Sequence, residues 1–521
     1  MRMEDQRQEG CVDLYYRAAL AAWRNLEGVS CRSAAKQYDR TAWQTYQQSL
    51  ARLVNAASRF GRLDPRAHLI VNDNHGQRFI PTVYRGFAWK PAEFCQVVPA
   101  SAFQGSGPRR RYRTPGLGIS LVAMRRACSE EQFHRLTQPF AATALLRALP
   151  NADRPAINPD VAAETCGPEA VLEFCNPHVF ELVSLGPARV PLQRDLSAPF
   201  ACVSEERPRL NLMGFFDPAE TGVEPRLFMI EPYQPGKIPV VFIHGLLSDP
   251  MTWLDAVNDL RAHPDLYREY QFWYFRYPTG GELLESAAKL REQLLLARAT
   301  FDPGCRDEAM ARMVLVGHSM GGLIARLQVV YSYEILWRHA ARKPLSAVRA
   351  TPTVRERLER DFFFDPSPLV SRVVFIGTPH RGASMARRLT AQLASGLVRP
   401  FGSEEPLYRG LMDQNRDVFY EYLWKSPPTS IDLLEPENPL LKAMAKMPFR
   451  RGVRLHSILG TGGTMLLGEP GDGVVPVSSA RQEGVVSELF VPARHTQLHH
   501  DDATVAELRR ILREHSLESG N

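Results

Sequence analysis

From Val240 to Val491 the sequence repeats one arrangement: a short run of mostly apolar, β-forming residues, then a helix-length stretch, then another run. Val240-Val-Phe-Ile243 contains no polar residue, and Met313-Val-Leu-Val316 contains none either. A strand with one solvated face alternates apolar and polar residues, whereas a strand apolar on both faces is buried from both sides, as in a parallel sheet covered by helices. Gln271–Phe275, Arg372–Ile376, Val453–Leu459 and Ser487–Val491 extend the series, with Leu210–Met213 and Leu227–Ile230 as shorter candidates ahead of it. Helices are expected over 252–262, 282–300, 321–337 and 503–515. Strands joined by helices of that length pair in parallel through crossovers. The expected fold class is α/β, a doubly wound and mostly parallel sheet.

The chain ahead of about residue 206 has a different texture. Residues 12 to about 60 read as helix, with Leu14, Ala18, Ala21, Ala22 and Leu26 on one face and Trp43, Tyr46, Leu50, Leu53 and Val54 on another. Short β-like runs then appear at His68–Val71, Phe79–Tyr84, Gly118–Ala123 and Phe180–Ser184, separated by Pro- and Gly-bearing turns. The expected division is a helical segment over 1–65, a β-rich accessory region over 66–205, and the α/β domain over 206–521. The last carries two long insertions, at about 328–370 and 385–450.

Composition narrows the function classes. At 44% hydrophobic and 23% charged residues, the 521-residue chain has material for a large globular core. The net charge of +6 is small, and Arg far outnumbers Lys, so no nucleic-acid partner is expected. The densest basic cluster is Arg109, Arg110, Arg111 and Arg113, beside Gly105, Gly107 and Pro108. It reads as a solvated loop, with phosphate or anionic-lipid binding as the alternative. None of the eight cysteines has CxxC spacing, so no zinc site is expected, and seven of them precede residue 203. Reduced thiols are the simplest expectation. Met1–Gly10 is polar and no apolar run reaches membrane-spanning length, so a soluble, cytoplasmic protein is expected.

Four motifs carry chemistry. Gly317-His318-Ser319-Met320-Gly321 follows an apolar strand and opens a helix. A serine at the apex of so sharp a strand-to-helix turn is exposed for attack, and the turn leaves no room for side chains two residues to either side. The N–H of Met320 would then face a developing oxyanion. His244-Gly245-Leu246-Leu247 follows an earlier strand, where a second donor, the Leu246 N–H, is needed. A serine hydroxyl needs a histidine to take its proton, and that histidine needs an acid to hold its tautomer. Asp472, between Gly471 and Gly473, follows a late strand, and His495 follows the last one. The order Ser319, Asp472, His495 is therefore a candidate catalytic triad. His499 and His500 lie close enough to compete as the base.

These motifs resemble the α/β-hydrolase superfamily, and within it bacterial lipase- and esterase-like proteins. The residues that carry the resemblance are Val240–Gly245, Gly317–Gly322, Gly377-Thr-Pro-His-Arg-Gly382, Gly471–Ala480 and His495–Leu512. Thr378–Gly382 also looks like a turn found in relatives of the GPI-inositol deacylases. The likeness spans about 210 to 515. It implies hydrolysis of a carboxylic ester through an acyl-enzyme, with no metal or organic cofactor. Ser319, Asp472 and His495 match the triad positions, and Leu246 and Met320 match the oxyanion positions. His380 and Arg381 are expected to brace a loop.

Both insertions are rich in apolar and aromatic residues: Tyr331, Tyr333, Leu336, Trp337 and Phe362–Phe364 in the first, and Leu389, Leu393, Leu397, Val398, Tyr408, Tyr420, Tyr422 and Trp424 in the second. They are candidates for a lid and an acyl pocket, which points to a lipophilic small-molecule or lipid ester and to transient contact with a membrane surface. Ordinary packing of helices on the body is the other reading. Acyl transfer, thioester hydrolysis and amide hydrolysis use the same triad, and a non-catalytic binding protein is a further rival.

Overall fold

The computed structural model describes residues 9–32, 40–74, 76–103, 105, 107–126, 133, 137–149, 169–205, 224–383, 405–424, 430–465 and 468–518. The chain divides into two compact units, one made of Met1–Arg207 with Arg261–Pro264 and the other of Pro208–Leu260 with Asp265–Asn521.

In the first unit, two helices, α1 (Cys11–Arg32) and α2 (Arg40–Arg59), share one hydrophobic core with a seven-stranded sheet. Its strands are β1 (Leu63–Asp64), β2 (His68–Asp73), β3 (Gly76–Arg85), β4 (Phe94–Pro99), β5 (Ile119–Arg126), β6 (Thr137–Ala148) and β7 (Ala170–Cys175). Their spatial order is β1-β2-β3-β7-β6-β5-β4, with β3 and β7 parallel and the other pairs antiparallel. The buried Tyr46 hydroxyl donates to the Leu146 carbonyl (3.2 Å) and accepts from the Leu146 N–H (3.0 Å), which pins α2 to β6. The apolar face of α1 differs from expectation. Val12, Tyr16, Ala19, Leu20, Trp23 and Leu26 are buried, while Leu14 is half exposed. Trp23 packs on Tyr46 with ring centroids 5.6 Å apart, and that large contact sets which way α1 turns. Arg109, Arg110 and Arg111 lie in a loop, whereas Arg113 opens the two-residue strand Arg113–Thr114 and pairs with Asp195 (2.7 Å). Cys95 and Cys175 are free thiols, as is Cys305 in the second unit.

The second unit is built on another seven-stranded sheet. Its strands are β8 (Arg226–Met229), β9 (Ile238–Ile243), β10 (Tyr270–Arg276), β11 (Met313–His318), β12 (Val370–Ile376), β13 (Arg454–Gly460) and β14 (Ser487–Val491), in the order β8-β10-β9-β11-β12-β13-β14. Every pair is parallel except β8 with β10. All residues of β9 and β11 are buried, which is what their unbroken apolar runs require. The edge strand β14 is mostly half exposed. Leu210–Met213 lies outside the described residues.

The chain passes from β9 outward to β10, then back across β9 to β11, and continues outward through β14. The direction of winding therefore reverses between β9 and β11. Crevices at the carboxyl ends of parallel strands form at such a reversal. Helix α3 (Leu283–Phe301) joins β10 to β11, and α5 (Asp502–Leu517) follows β14, both close to their expected limits.

The helix after the serine motif, α4 (Met320–Arg326), is much shorter than the expected 321–337. Gln328 ends it: its side-chain amide donates to the Ile324 carbonyl (3.0 Å), satisfying a terminal acceptor. The backbone of Tyr331 and Ser332 then donates to Pro448 and Phe364 instead of continuing the helix. The two insertions pack into one body. Trp337 contacts Phe362, Phe363 and Phe419, and Asn415 bonds both backbone groups of Arg349. Trp337 is thus committed to packing, while Leu389, Leu393, Leu397 and Val398 lie outside the described residues.

Candidate active site

Ser319 sits at the carboxyl end of β11, with φ 54° and ψ −124°. Backbone in that region is rare and strained for a non-glycine residue, and such strain persists only where the surroundings hold it. Here the Ser319 N–H donates to the Ile376 carbonyl at the end of β12 (2.8 Å). The flanking glycines have a steric reason. A Cβ on Gly317 would lie 2.5 Å from the Gly321 carbonyl oxygen, and one on Gly321 would lie 2.3 Å from the Ile243 carbonyl oxygen. Neither neighbour is a side chain that can swing aside.

The His495 imidazole bridges the serine and the carboxylate. Its Nε2 lies 2.9 Å from Ser319 Oγ and its Nδ1 lies 2.7 Å from Asp472 Oδ2. Asp472 is buried, and its other oxygen accepts the N–H groups of Val474 (2.9 Å) and Val475 (2.7 Å). That leaves Oδ2 for the imidazole, so Nδ1 carries the ring proton and Nε2 accepts from the serine hydroxyl. The backbone couples Asp472 and His495 a second time, because the His495 N–H donates to the Asp472 carbonyl (2.9 Å). The floor of the site is glycine. A Cβ on Gly377 would lie 3.2 Å from Asp472 Oδ2, and one on Gly460 would lie 2.6 Å from Asp472 Cβ.

The turn after β9 lies against the serine: a Cβ on Gly245 would lie 3.0 Å from Ser319 Cβ. Met320 opens α4, so its N–H has no intrahelical acceptor. Leu247 adopts φ 56° and donates its N–H to Thr279 Oγ1 (3.3 Å). The Leu246 N–H has no acceptor among the described residues. His244 holds the turn. Its Nε2 accepts the Tyr277 N–H (3.4 Å), so Nδ1 bears the proton and donates to the Gly245 carbonyl (3.1 Å). The Gly245 carbonyl and the Leu246 N–H belong to one trans peptide and point opposite ways, so holding the first aims the second. Complete burial pushes the His244 pKa down to about 4 and keeps the ring neutral.

His499 is directed elsewhere. Its Nε2 lies 2.5 Å from Thr252 Oγ1 and 3.2 Å from His500 Nδ1. His380 and Arg381 sit on the turn after β12. Arg381 donates to the carbonyls of Ser478 (2.9 Å) and Arg481 (2.7 Å), just beyond the Asp472 loop, and the buried His380 packs edge-on against Phe375. Ser319, Asp472 and His495 thus come together, with Gly245–Leu247 beside the serine. Sequence reasoning missed Tyr277, Thr279 and Thr252, because single Tyr and Thr residues after strands carry no signal of their own. His318 lay inside the serine motif without an assigned part.

No protein-family model matches the sequence, and neither does any curated protein. Solved structures similar to part of the chain include a Bacillus licheniformis lipase, BlEst2, in its mature form (18% identity, 56% of this chain and 99% of that one, TM-score 0.33). They also include the metagenomic carboxyl esterase MGS0156 (17% identity, 55% and 77%, TM-score 0.29). The esterase Est2 from Thermogutta terrifontis is another (14% identity, 59% and 93%, TM-score 0.31). At those values the likeness carries no argument about reaction, which rests on the site's own geometry. Among the described residues no helix is long and apolar enough to cross a membrane.

Proposed function

We propose that this chain is a serine hydrolase of the α/β-hydrolase type that cleaves carboxylic esters. One observation carries the reading: a strained, strand-end serine bonded to an imidazole that is bonded in turn to a buried carboxylate, at 2.9 and 2.7 Å.

In this mechanism Ser319 Oγ attacks the ester carbonyl carbon while His495 Nε2 takes its proton. Asp472 Oδ2 accepts the Nδ1–H bond, holds the ring orientation and stabilises the imidazolium. The carbonyl oxygen, now an anion, is held by the N–H groups of Met320 and Leu246. His495 protonates the departing alkoxide, leaving the acyl group on Ser319. Water, deprotonated by the same imidazole, attacks the acyl-enzyme and releases the acid.

The acyl group is lipophilic in this reading. Support comes from Leu407 and the aromatic rings of Tyr333 and Tyr422, which stay exposed on the insertions. The test is hydrolysis of p-nitrophenyl esters from acetate to palmitate. A chain-length optimum above butyrate supports a lipophilic acyl site. Turnover of acetate alone, or no turnover across the series, contradicts it.

A further inference from the structure

His318 precedes the nucleophile and is buried. Its Nε2 lies 3.0 Å from the His495 carbonyl oxygen. A carbonyl only accepts, so Nε2 bears a proton. Among the described residues the buried Nδ1 has no hydrogen-bond partner, which leaves the ring neutral with its single proton on Nε2. Burial and the adjoining His499 and His495 rings push its pKa well below the ordinary value, in agreement with that protonation state. The ring is wedged in place, with centroids 4.8 Å from His495 and 4.5 Å from His499, and Nδ1 lies 3.1 Å from where a Gly245 Cβ would stand.

His495 is therefore gripped at both backbone groups: its N–H by the acid's carbonyl and its C=O by the residue next to the nucleophile. With Ser319 as nucleophile and His495 as base, as proposed above, we infer that His318 is a positioning residue that locks the base to the elbow carrying the nucleophile. His495 begins a single four-residue helical turn, so little else in its own segment fixes where its imidazole stands. The hydrogen bond and the ring contact together hold Nε2 at the Ser319 hydroxyl.

The test is a series at His318 in the full chain, assayed on a p-nitrophenyl ester. His318→Phe keeps the ring volume and removes the donor. His318→Gln places an amide N–H where Nε2 stood, whereas His318→Asn is too short to reach. A misplaced reacting group costs on the order of 10²-fold. The expected result is a drop of about that size in kcat for Phe and Asn, with KM and the thermal midpoint nearly unchanged, and recovery of at least about tenfold by Gln. Wild-type kcat in His318→Phe overturns the inference, and so does His318→Gln as impaired as His318→Asn. Should Phe fail to fold, the Asn and Gln pair decides. Ser319 labelling by a fluorophosphonate in wild type separates this inference from the reading beneath it. With no labelling the triad reading fails; with labelling and turnover but an indifferent His318, only the positioning role fails.

Discussion

Asp472 and His495 are joined twice, by the 2.7 Å bond from the ring Nδ1 to Oδ2 and by the 2.9 Å bond from the His495 N–H to the Asp472 carbonyl. The second bond survives changes of side chain, which makes the first testable without dismantling the loop. Asp472→Asn keeps an oxygen for the Val474 and Val475 amides but can present an N–H to the imidazole and so favour the wrong tautomer. A drop in kcat on the order of 10⁴-fold is expected, with a nearly unchanged thermal midpoint. Activity within tenfold of wild type would remove Asp472 from the mechanism.

The competition among the C-terminal histidines has a defined outcome. His495→Gln should abolish ester turnover, by at least about 10³-fold in kcat. His499→Gln, which touches the Thr252 hydroxyl and not Ser319, should cost tenfold or less. Steady-state kinetics on both variants decides it, and the reverse order would make His499 the base.

The elbow glycines should show their steric role as stability. Gly321→Ala drives a Cβ into the backbone oxygens of Ile243 and His244, both within 2.4 Å. A loss of about 2 kcal/mol or more is expected in chemical denaturation. Gly28→Ala in α1, where nothing stands within 4 Å, should be neutral or stabilising by up to about 1 kcal/mol. Equal effects of the two would show that close approach does not dictate glycine at 321.

Acid should destabilise the second unit before it reaches the carboxylates. Burial lowers the pKa of His244, His456 and His515 to about 4, and that of His318 and His380 well below the ordinary 6.5. Between pH 6.5 and about 4 the unfolded chain binds protons that the folded chain refuses, so stability is full above 6.5 and declines as the pH falls through that window. The thermal midpoint at pH 5 should lie several degrees below that at pH 7.5. Equal midpoints would mean these rings are not held neutral.

Much of the second unit was legible because its physics is local. Val240–Ile243 and Met313–Val316 can be apolar throughout only if both faces are covered, and Gly317 and Gly321 mark a turn too tight for side chains. That Ser319, Asp472 and His495 would meet was legible for the same reason, since each follows a strand end of the same sheet. What was missed depends on contacts distant in sequence. The end of α4 is set by Gln328 and by partners at Phe364 and Pro448, more than 30 residues away. The face of α1 turned because Trp23 meets Tyr46, and nothing in the spacing of Leu14, Ala18 and Ala22 announces that contact. Thr279, which holds the Leu247 amide, is a lone threonine after a strand.

The central claim is that Ser319 is a nucleophile activated by its neighbours, and covalent labelling tests it most directly. Folded protein treated with a fluorophosphonate, then digested and mapped by mass spectrometry, should carry one adduct, on Ser319. That adduct should vanish in Ser319→Ala and in denatured protein, and ester hydrolysis should vanish with it. A folded, correctly sized protein without an adduct at Ser319, or a Ser319→Ala variant that hydrolyses esters at the wild-type rate, would contradict the account.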